Sequence, residues 1–232
     1  MGINEKIIFR QAVESDLEQL IDLTISSVTS SNGRSFFATI FDLSEEEYKN
    51  IVRDLFSLNI SNNEYDIGSY FVLEQNDELI SCLAGWKEGE GDVDSEKILP
   101  LMVMQHVGLK TWIEKTQENE EISKVNIPRE RGKIQIENMF LKSSARGTSA
   151  FITIYFNTVD ALFQKYPECN IVQSKFYATN KLAIRIAKHI GYDIIEERSF
   201  DTSSLDPYFQ NEGIVMTELN REVFYSNKHF LT

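Results

Sequence analysis

Residues 134–151, IQIENMFLKSSARGTSAF, decide the fold, because within a few positions they change from strand spacing to helical spacing. Residues 134–141 predict a strand, the polar residues 142–148 predict a turn, and apolar residues then recur at helical spacing up to Leu162. Such a junction gathers free backbone N–H groups and the positive end of the helix dipole. Arg146 adds a guanidinium suited to phosphate. The junction predicts either an anion site or a plain connection, and it favours neither.

Residues 171–192, IVQSKFYATNKLAIRIAKHIGY, add a second strand and helix. Residues 171–176 predict the strand, Asn180 is suited to cap the helix at its start, and Gly191 stands where a left-handed C-terminal cap belongs. A strand, a helix and a strand in this order predict a parallel crossover.

The rest of the chain predicts hairpin-built sheet and flanking helices. Capping boxes at Ser15 with Glu18 and at Ser44 with Glu47 mark the starts of two helices. No internal repeat or linker interrupts the chain, so we expect a single domain over residues 1–232. Further strands are predicted at residues 7–9, 70–73, 79–84, 192–195 and 214–219.

Composition limits the classes of partner. The 232 residues carry 23 Lys and Arg against 36 Asp and Glu, a net charge of −13, which disfavours nucleic acid and anionic membranes as partners. No secretion signal and no long apolar stretch is present, so we expect a cytoplasmic protein. Two cysteines, Cys82 and Cys169, fit a reducing compartment, and three histidines without ligand spacing predict no metal site.

The two motifs resemble those of the GNAT superfamily of acyl-CoA-dependent N-acetyltransferases. Residues 139–147, MFLKSSARG, are similar to the family's fourth strand and the start of its pyrophosphate loop. Asn180, Ala183, Gly191 and Tyr192 are similar to its second signature, Asn-x-x-Ala followed by a helix that ends in Gly-Phe.

The resemblance covers most of the chain, including a first strand and helix over residues 10–20. It implies an α/β (α+β) fold with a mixed, mostly antiparallel sheet flanked by helices and a parallel crossover at the cofactor site. It also implies acetyl-CoA as co-substrate, with no metal. The residues that it assigns to acetyl-CoA binding are Met139, Phe140, Leu141, Arg146, Gly147, Thr148, Ser149, Ala150, Phe151 and Asn180.

On this alignment residues 88–132 are a helical insertion between the third and fourth strands. We expect an acidic loop followed by a helix over 97–117 that begins or breaks near Pro100. Trp112 is expected to pack in the core. The insertion is open to two interpretations, a lid or the contact of a homodimer.

The sequence departs from the family at three positions. Ser149 and Phe151 stand where the pyrophosphate loop usually has small residues, so the Phe151 ring must turn toward the core or occupy cofactor space. Ala187 replaces a tyrosine that often protonates the departing thiolate.

The mechanism that the resemblance implies is direct attack of an amine on the thioester, with the carbonyl polarised by a backbone N–H near Met139 or Leu141. Glu137 lies two residues before Met139, so we expect the two side chains to share one face of the strand. Glu137 is the candidate base, with a pKa expected to rise by burial, and Gln135 on the same face is a candidate to orient water. Alternatively, Glu137 binds substrate or pairs with a nearby arginine, Arg129 or Arg131.

Tyr177 is the candidate acid for the thiolate, with Ser174 or solvent as the alternative. The expected function is acetyl transfer to the amino group of a small molecule or a peptide. The alternatives are a non-catalytic CoA-binding protein and a transferase with a bulkier acyl donor.

Overall fold

A computed structural model of the protein describes residues 6–29, 34–91, 93–119, 126–199 and 213–228. Its strands are β1 (Ile8–Gln11), β2 (Tyr70–Gln75), β3 (Glu78–Lys87), β4 (Ile134–Leu141), β5 (Ile171–Tyr177), β6 (Asp193–Ser199) and β7 (Gly213–Asn220). Its α-helices are α1 (Leu17–Val28), α2 (Phe36–Ile40), α3 (Glu45–Ser57), α4 (Ile98–Val107), α5 (Leu109–Glu118), α6 (Ala150–Lys165), α7 (Lys181–Ile190) and α8 (Arg221–Lys228).

The seven strands form one sheet in the order β1-β2-β3-β4-β5-β7-β6. Five neighbouring pairs are antiparallel, and β4 with β5 is parallel, joined through α6. This arrangement confirms the predicted mixed sheet with one parallel crossover. Helices α4 and α5 lie in the predicted insertion between β3 and β4.

Each face of the sheet carries an apolar core. Leu20, Leu55 and Val103 from α1, α3 and α4 are almost fully buried on one face. Val159 of α6 and Phe224 of α8 are fully buried on the other. Burying each such side chain contributes about 2 kcal/mol. The sheet is therefore held from both sides, and its strand ends are fixed where the candidate site lies.

A β-bulge interrupts β4 at Asn138. Cys82 of β3 pairs with Phe140 and Ala84 pairs with Glu137, so two residues of β4 lie opposite one residue of β3. Asn138 has a φ of 54°, in the left-handed region that asparagine tolerates better than most residues. Its Nδ2 donates to the hydroxyl of Tyr70 at 3.0 Å.

The bulge reverses the alternation of side chains along β4. Ile136 and Met139 both pack in the core beside α6, whereas Phe140 packs in the core beside α1. The prediction that Glu137 and Met139 share one face is therefore wrong. It assumed unbroken two-residue alternation, and the extra residue at Asn138 turns Met139 away from Glu137.

The helix starts were predicted correctly at α3 and α7. Ser44 and Glu47 form the reciprocal capping box, with hydrogen bonds of 2.8 and 3.2 Å. Asn180 caps α7 by accepting from the N–H of Ala183 at 3.2 Å, and Gly191 ends it with a φ of 113°.

One helix start was predicted wrongly. Asp16, rather than a Ser15–Glu18 box, accepts from the Val13 N–H at 2.9 Å, because a short 3-10 turn precedes α1. In the insertion, α4 begins at Ile98, near Pro100 as predicted, but the helical segment does not run unbroken to residue 117, because it is interrupted at Gly108, which has a φ of 84°. Proline fits the first turn of α4, where its missing N–H has no helical partner to lose.

Candidate active site

The candidate site lies where β4 and β5 part. The two strands pair only at Ile134–Val172 and Gln135–Gln173, and each then continues alone to its end. The gap begins at a side-chain hydrogen bond of 2.9 Å from Gln135 Nε2 to Gln173 Oε1. The amide nitrogen of Gln135, the candidate to orient water, therefore bonds to the neighbouring strand.

Backbone donors of β4 face this gap. The N–H of Lys142 donates to the carbonyl of Ile80 in β3 at 2.9 Å. Backbone groups alternate along a strand, so the N–H of Leu141 points the opposite way, toward β5. Leu141 is thus placed to polarise a carbonyl in the gap.

A cavity of about 550 Å³, here called the donor cavity, opens from the gap on the side of α6 and α7. Of the predicted acetyl-CoA residues, five line it: Met139, Leu141, Arg146, Phe151 and Asn180. Phe140 lies on the opposite face of the sheet because of the bulge. Of the other predicted residues, Gly147, Thr148 and Ser149 form the turn that leads into α6, and Ala150 is the first residue of that helix.

The start of α6 has the shape of an anion site. Gly147 has a φ of 75°, which glycine adopts without strain and which bends the chain into the helix. The N–H of Ala150 donates to Thr148 Oγ1 at 3.1 Å, and that of Thr153 to the Ser149 carbonyl at 2.9 Å. The first four N–H groups of a helix lack helical partners, which leaves the two at residues 151 and 152 available to a ligand.

Arg146 is the cation at this turn. It is exposed, its Nε donates to the carbonyl of Leu141 at 3.2 Å, and its guanidinium lies 5.9 Å from the centre of the Phe140 ring. The other basic residue of the turn, Lys142, is paired with Glu78 at 2.7 Å. Arg146 is accordingly the better placed of the two to bind an anionic ligand.

The Phe151 ring lies against the core rather than across the turn. It stacks on Tyr155, with ring centroids 5.7 Å apart and planes at 8°. It is half-buried and forms part of the donor cavity wall. This is the first of the two alternatives, in which the ring turns toward the core. The N–H of Phe151 therefore remains usable at the helix start.

A second cavity of about 460 Å³, here called the acceptor cavity, lies on the other face of the sheet. It is walled by α2, by the insertion helices α4 and α5, and by the ends of β4 and β5. Four residues line both cavities, so the two meet at the gap: Glu137, Lys175, Tyr177 and Ile214.

Arg129 and two carboxylates lie at the base of the acceptor cavity. Arg129 binds Glu137 through Nε–Oε1 and Nη2–Oε2 hydrogen bonds of 2.9 and 2.5 Å, and its Nη1 lies 2.5 Å from Glu64 Oε2. The Arg129 side chain is only 6% exposed. The alternative in which Glu137 pairs with Arg129 is thus the one that the structure contains.

The two carboxylates differ in their pKa. Burial acts to raise the pKa of Glu137, but the charge and hydrogen bonds of Arg129 outweigh it and hold that pKa below the ordinary value. The expected rise in the pKa of Glu137 is therefore wrong. Burial raises the pKa of Glu64 to about 7, because Arg129 only partly offsets it and the charge of Glu137 adds to it.

Glu64 is the residue that sequence reasoning missed. It lies in the loop between α3 and β2, where no periodic pattern or motif marks it. Its carbonyl accepts from the Tyr70 hydroxyl at 2.8 Å, and the same hydroxyl accepts from Asn138 at 3.0 Å. Tyr70 therefore connects the Glu64 backbone to the bulge of β4.

A second ion pair lies beside the first. Lys175 of β5 donates to Glu96, and the N–H of Arg129 donates to the other oxygen of Glu96 at 3.1 Å. Arg129 Nη1 also donates to Ser95 Oγ at 2.6 Å. These contacts attach the insertion to the site.

Tyrosine hydroxyls lie near the gap on both faces. Tyr177, the candidate acid, ends β5 and lines both cavities. In the donor cavity, Tyr155 and Tyr192 lie 2.9 Å apart at their hydroxyls, and Tyr192 lies 3.4 Å from Ser174 Oγ. Burial raises the pKa of Tyr192 to about 12. Ala187, the residue that replaces the frequent tyrosine, also lines this cavity and contributes only a methyl group to its wall.

The described residues contain no group of three or more His, Cys, Asp or Glu side chains that could hold a metal ion. Within the same ranges, no helix is long and apolar enough to cross a membrane.

No family model matches the sequence, and no curated protein matches it by sequence. Solved structures with the same fold do match. An N-acetyltransferase from Staphylococcus aureus Mu50 is 10% identical, with a TM-score of 0.52 over 93% of this chain and 99% of that one. The mosquito protein arylalkylamine N-acetyltransferase like 5b is 12% identical, with a TM-score of 0.52 over 93% of this chain and 100% of that one.

A third structure, yncA of Salmonella typhimurium solved with its cofactor acetyl-CoA, is 8% identical, with a TM-score of 0.50 over 93% and 94% of the two chains. The chain thus has the fold of acetyltransferases. More particularly, it has the GNAT fold that its two motifs predicted.

Proposed function

We propose that the protein is an N-acetyltransferase that moves an acetyl group from acetyl-CoA to a primary amine by direct attack in a ternary complex. The observation that carries this proposal is the meeting of the two cavities at the gap between β4 and β5, where Glu137 and Tyr177 line both. Acetyl-CoA would enter from the donor cavity and the amine from the acceptor cavity. Such positioning turns a bimolecular step into an effectively unimolecular one.

The donor side offers groups of the right chemistry. The pyrophosphate of acetyl-CoA would bind Arg146 and the N–H groups at the start of α6, in the turn 147–150. Met139, Phe151 and Asn180 would line the pantetheine arm. The N–H of Leu141 would donate to the thioester carbonyl, where negative charge develops.

The amine nitrogen forms a bond to the carbonyl carbon as the carbon–sulfur bond breaks. The proton that the amine loses would go to the buried carboxylate pair, Glu64 and Glu137. Arg129 keeps Glu137 charged, so Glu64, with a pKa of about 7, is the member suited to gain and release a proton at neutral pH. The thiolate would take a proton from Tyr177 or from solvent.

The acceptor would be a small molecule or a peptide that presents an amino group. Structures of this fold include an arylalkylamine N-acetyltransferase, which supports an amine acceptor. Cys82 and Cys169 are both buried free thiols, as a cytoplasmic location would allow.

Calorimetry with acetyl-CoA and desulfo-CoA, followed by a CoA-release assay on a panel of amines, tests the proposal. We expect binding of both ligands and amine-dependent release of CoA. Absence of binding at millimolar ligand would contradict it. Tight binding without turnover on any amine would instead favour a non-catalytic CoA-binding protein, and preference for a longer acyl chain would favour a bulkier donor.

A further inference from the structure

The acceptor cavity combines an aromatic wall with a negatively charged base. We propose that it binds a primary amine carried on a flat apolar body, with the ring against Trp112 and the ammonium at Glu64 and Glu137. This inference rests on the proposed function, and it names the class of acceptor.

The aromatic wall is a ladder of stacked rings. The Phe37 and Phe41 rings are stacked with centroids 6.2 Å apart and planes at 8°. Phe41 stacks in turn on Trp112 of α5, at 4.9 Å and 9°. Trp112 is half-buried and lines the cavity, so part of this end ring is available to a ligand. Offset stacking is the arrangement that a flat aromatic ligand would extend.

The rest of the described wall has an apolar part and an uncharged polar part. Ile40 of α2 and Leu99 and Pro100 of α4 form the apolar part, and Thr116, Asn119 and Asn126 form the polar part. A chain of methylene groups between ring and amine would lie against the apolar part with little cost. The insertion supplies Leu99, Pro100 and Trp112, so it builds the acceptor side of the site.

The base of the cavity carries an excess of negative charge. Its described lining residues include three carboxylates, Glu64, Glu96 and Glu137, and two cations, Arg129 and Lys175. Arg129 lies between two of the carboxylates, and Lys175 is paired with the third. One negative charge is left over when all three carboxylates are ionised, and a ligand ammonium would neutralise it.

This arrangement disfavours two other kinds of ligand. A carboxylate or phosphate group would find both lining cations already paired with glutamates. A polyamine would have to place additional charges away from the base, where the described wall is apolar or uncharged and has no carboxylate to pair with them. The wall and the base together therefore select a single charge at the end of an apolar body.

The test compares phenethylamine, hydrocinnamate and spermidine as ligands and, for the amines, as acceptors with saturating acetyl-CoA. Binding is measured by quenching of tryptophan fluorescence and by calorimetry, which do not depend on turnover. We expect phenethylamine to bind and to be acetylated at least roughly tenfold more efficiently than spermidine, and hydrocinnamate not to bind.

Substitutions in α5 distinguish an effect on the acceptor cavity from an effect on folding. We expect Trp112→Ala to raise the KM for phenethylamine roughly tenfold while the affinity for acetyl-CoA is unchanged. Trp112→Phe, which keeps an aromatic ring, should have a KM close to that of the unsubstituted protein. Leu109→Ala, on the same helix at a residue that is 63% exposed and outside the cavity lining, is the matched control. Unchanged acetyl-CoA affinity also shows that the Trp112 variants are folded.

The outcomes are distinct. Failure to bind acetyl-CoA would overturn the proposed function. Binding of acetyl-CoA with a preference for spermidine, or with equal binding of hydrocinnamate, would overturn only the acceptor class. Unchanged phenethylamine kinetics in Trp112→Ala would likewise overturn it, as would no phenethylamine binding by either method.

Discussion

The guanidinium of Arg129 binds the carboxylate of Glu137 through two hydrogen bonds, of 2.9 and 2.5 Å, inside the acceptor cavity. Arg129 thereby keeps Glu137 charged. Glu64, the other carboxylate beside Arg129, has no aligned hydrogen bond at Oε2. The proton-accepting unit is therefore a pair of carboxylates that share one arginine. Predictions about catalysis depend on this sharing.

Glu137→Gln should lower kcat by roughly a hundredfold and leave the KM for acetyl-CoA unchanged, because it removes the charge that Arg129 holds beside the reacting amine. Steady-state kinetics measure both values. Glu114→Gln, at an exposed residue of α5, is the control and should behave as the unsubstituted protein. Unchanged turnover in Glu137→Gln would remove Glu137 from the catalytic machinery.

Glu64 should make stability depend on pH. Its pKa is about 7 in the folded protein and about 4.5 when unfolded, so the folded state binds more protons between these values. The contribution of Glu64 to the free energy of unfolding is fully present below about pH 4.5. It is lost as the pH rises through 7, and the loss amounts to up to about 3 kcal/mol. Urea unfolding of the protein and of Glu64→Gln across this range gives the difference. A pH-independent difference between the two would contradict the shared-arginine account.

Arg146→Ala should weaken acetyl-CoA binding by roughly tenfold to a hundredfold, the usual loss for a hydrogen bond to a charged group. Lys142→Ala is the matched control in the same turn, since Lys142 is already paired with Glu78. Calorimetry with acetyl-CoA measures both. Equal losses of acetyl-CoA affinity in the two variants would mean that net charge attracts the cofactor, rather than hydrogen bonds from the Arg146 guanidinium.

Asn138→Ala should lower the unfolding free energy by about 2 kcal/mol, since alanine resists the left-handed backbone at this bulge and the hydrogen bond to Tyr70 is lost. It should also lower kcat, because the bulge sets the directions of Glu137 and Met139. Asn138→Gly keeps the backbone freedom and should retain more activity. An alanine variant as active and stable as the glycine variant would show that the bulge forms without help from its residue type.

The sequence predicted the sheet, the crossover and both motif helices, because these depend on local periodicity and caps such as Asn180 and Gly191. It did not predict the faces of β4, because the bulge at Asn138 depends on pairing with β3, which no local pattern reports. The pKa of Glu137 was predicted wrongly because the sequence left its pairing with Arg129 as one of several alternatives. Only the fold shows that the two side chains are paired and buried together. Glu64 was missed because its loop carries no motif.

Trp112 illustrates the same limit in the insertion. Its spacing with apolar neighbours predicted a core residue, and it does pack on the core, yet it also lines the acceptor cavity. Whether a core-facing side chain of a helix also lines a cavity depends on how completely the neighbouring element covers it. Here that element is α2, and Phe41 at its C-terminal cap stacks on Trp112.

The central claim is that donor and acceptor meet in the gap between β4 and β5, and a crystal structure of the protein with acetyl-CoA tests it most directly. We predict that the thioester lies in the gap with its carbonyl oxygen within hydrogen-bond distance of the Leu141 N–H, and that the pyrophosphate contacts Arg146 and the start of α6. Acetyl-CoA bound outside the gap, or with its pyrophosphate away from Arg146, would contradict the account.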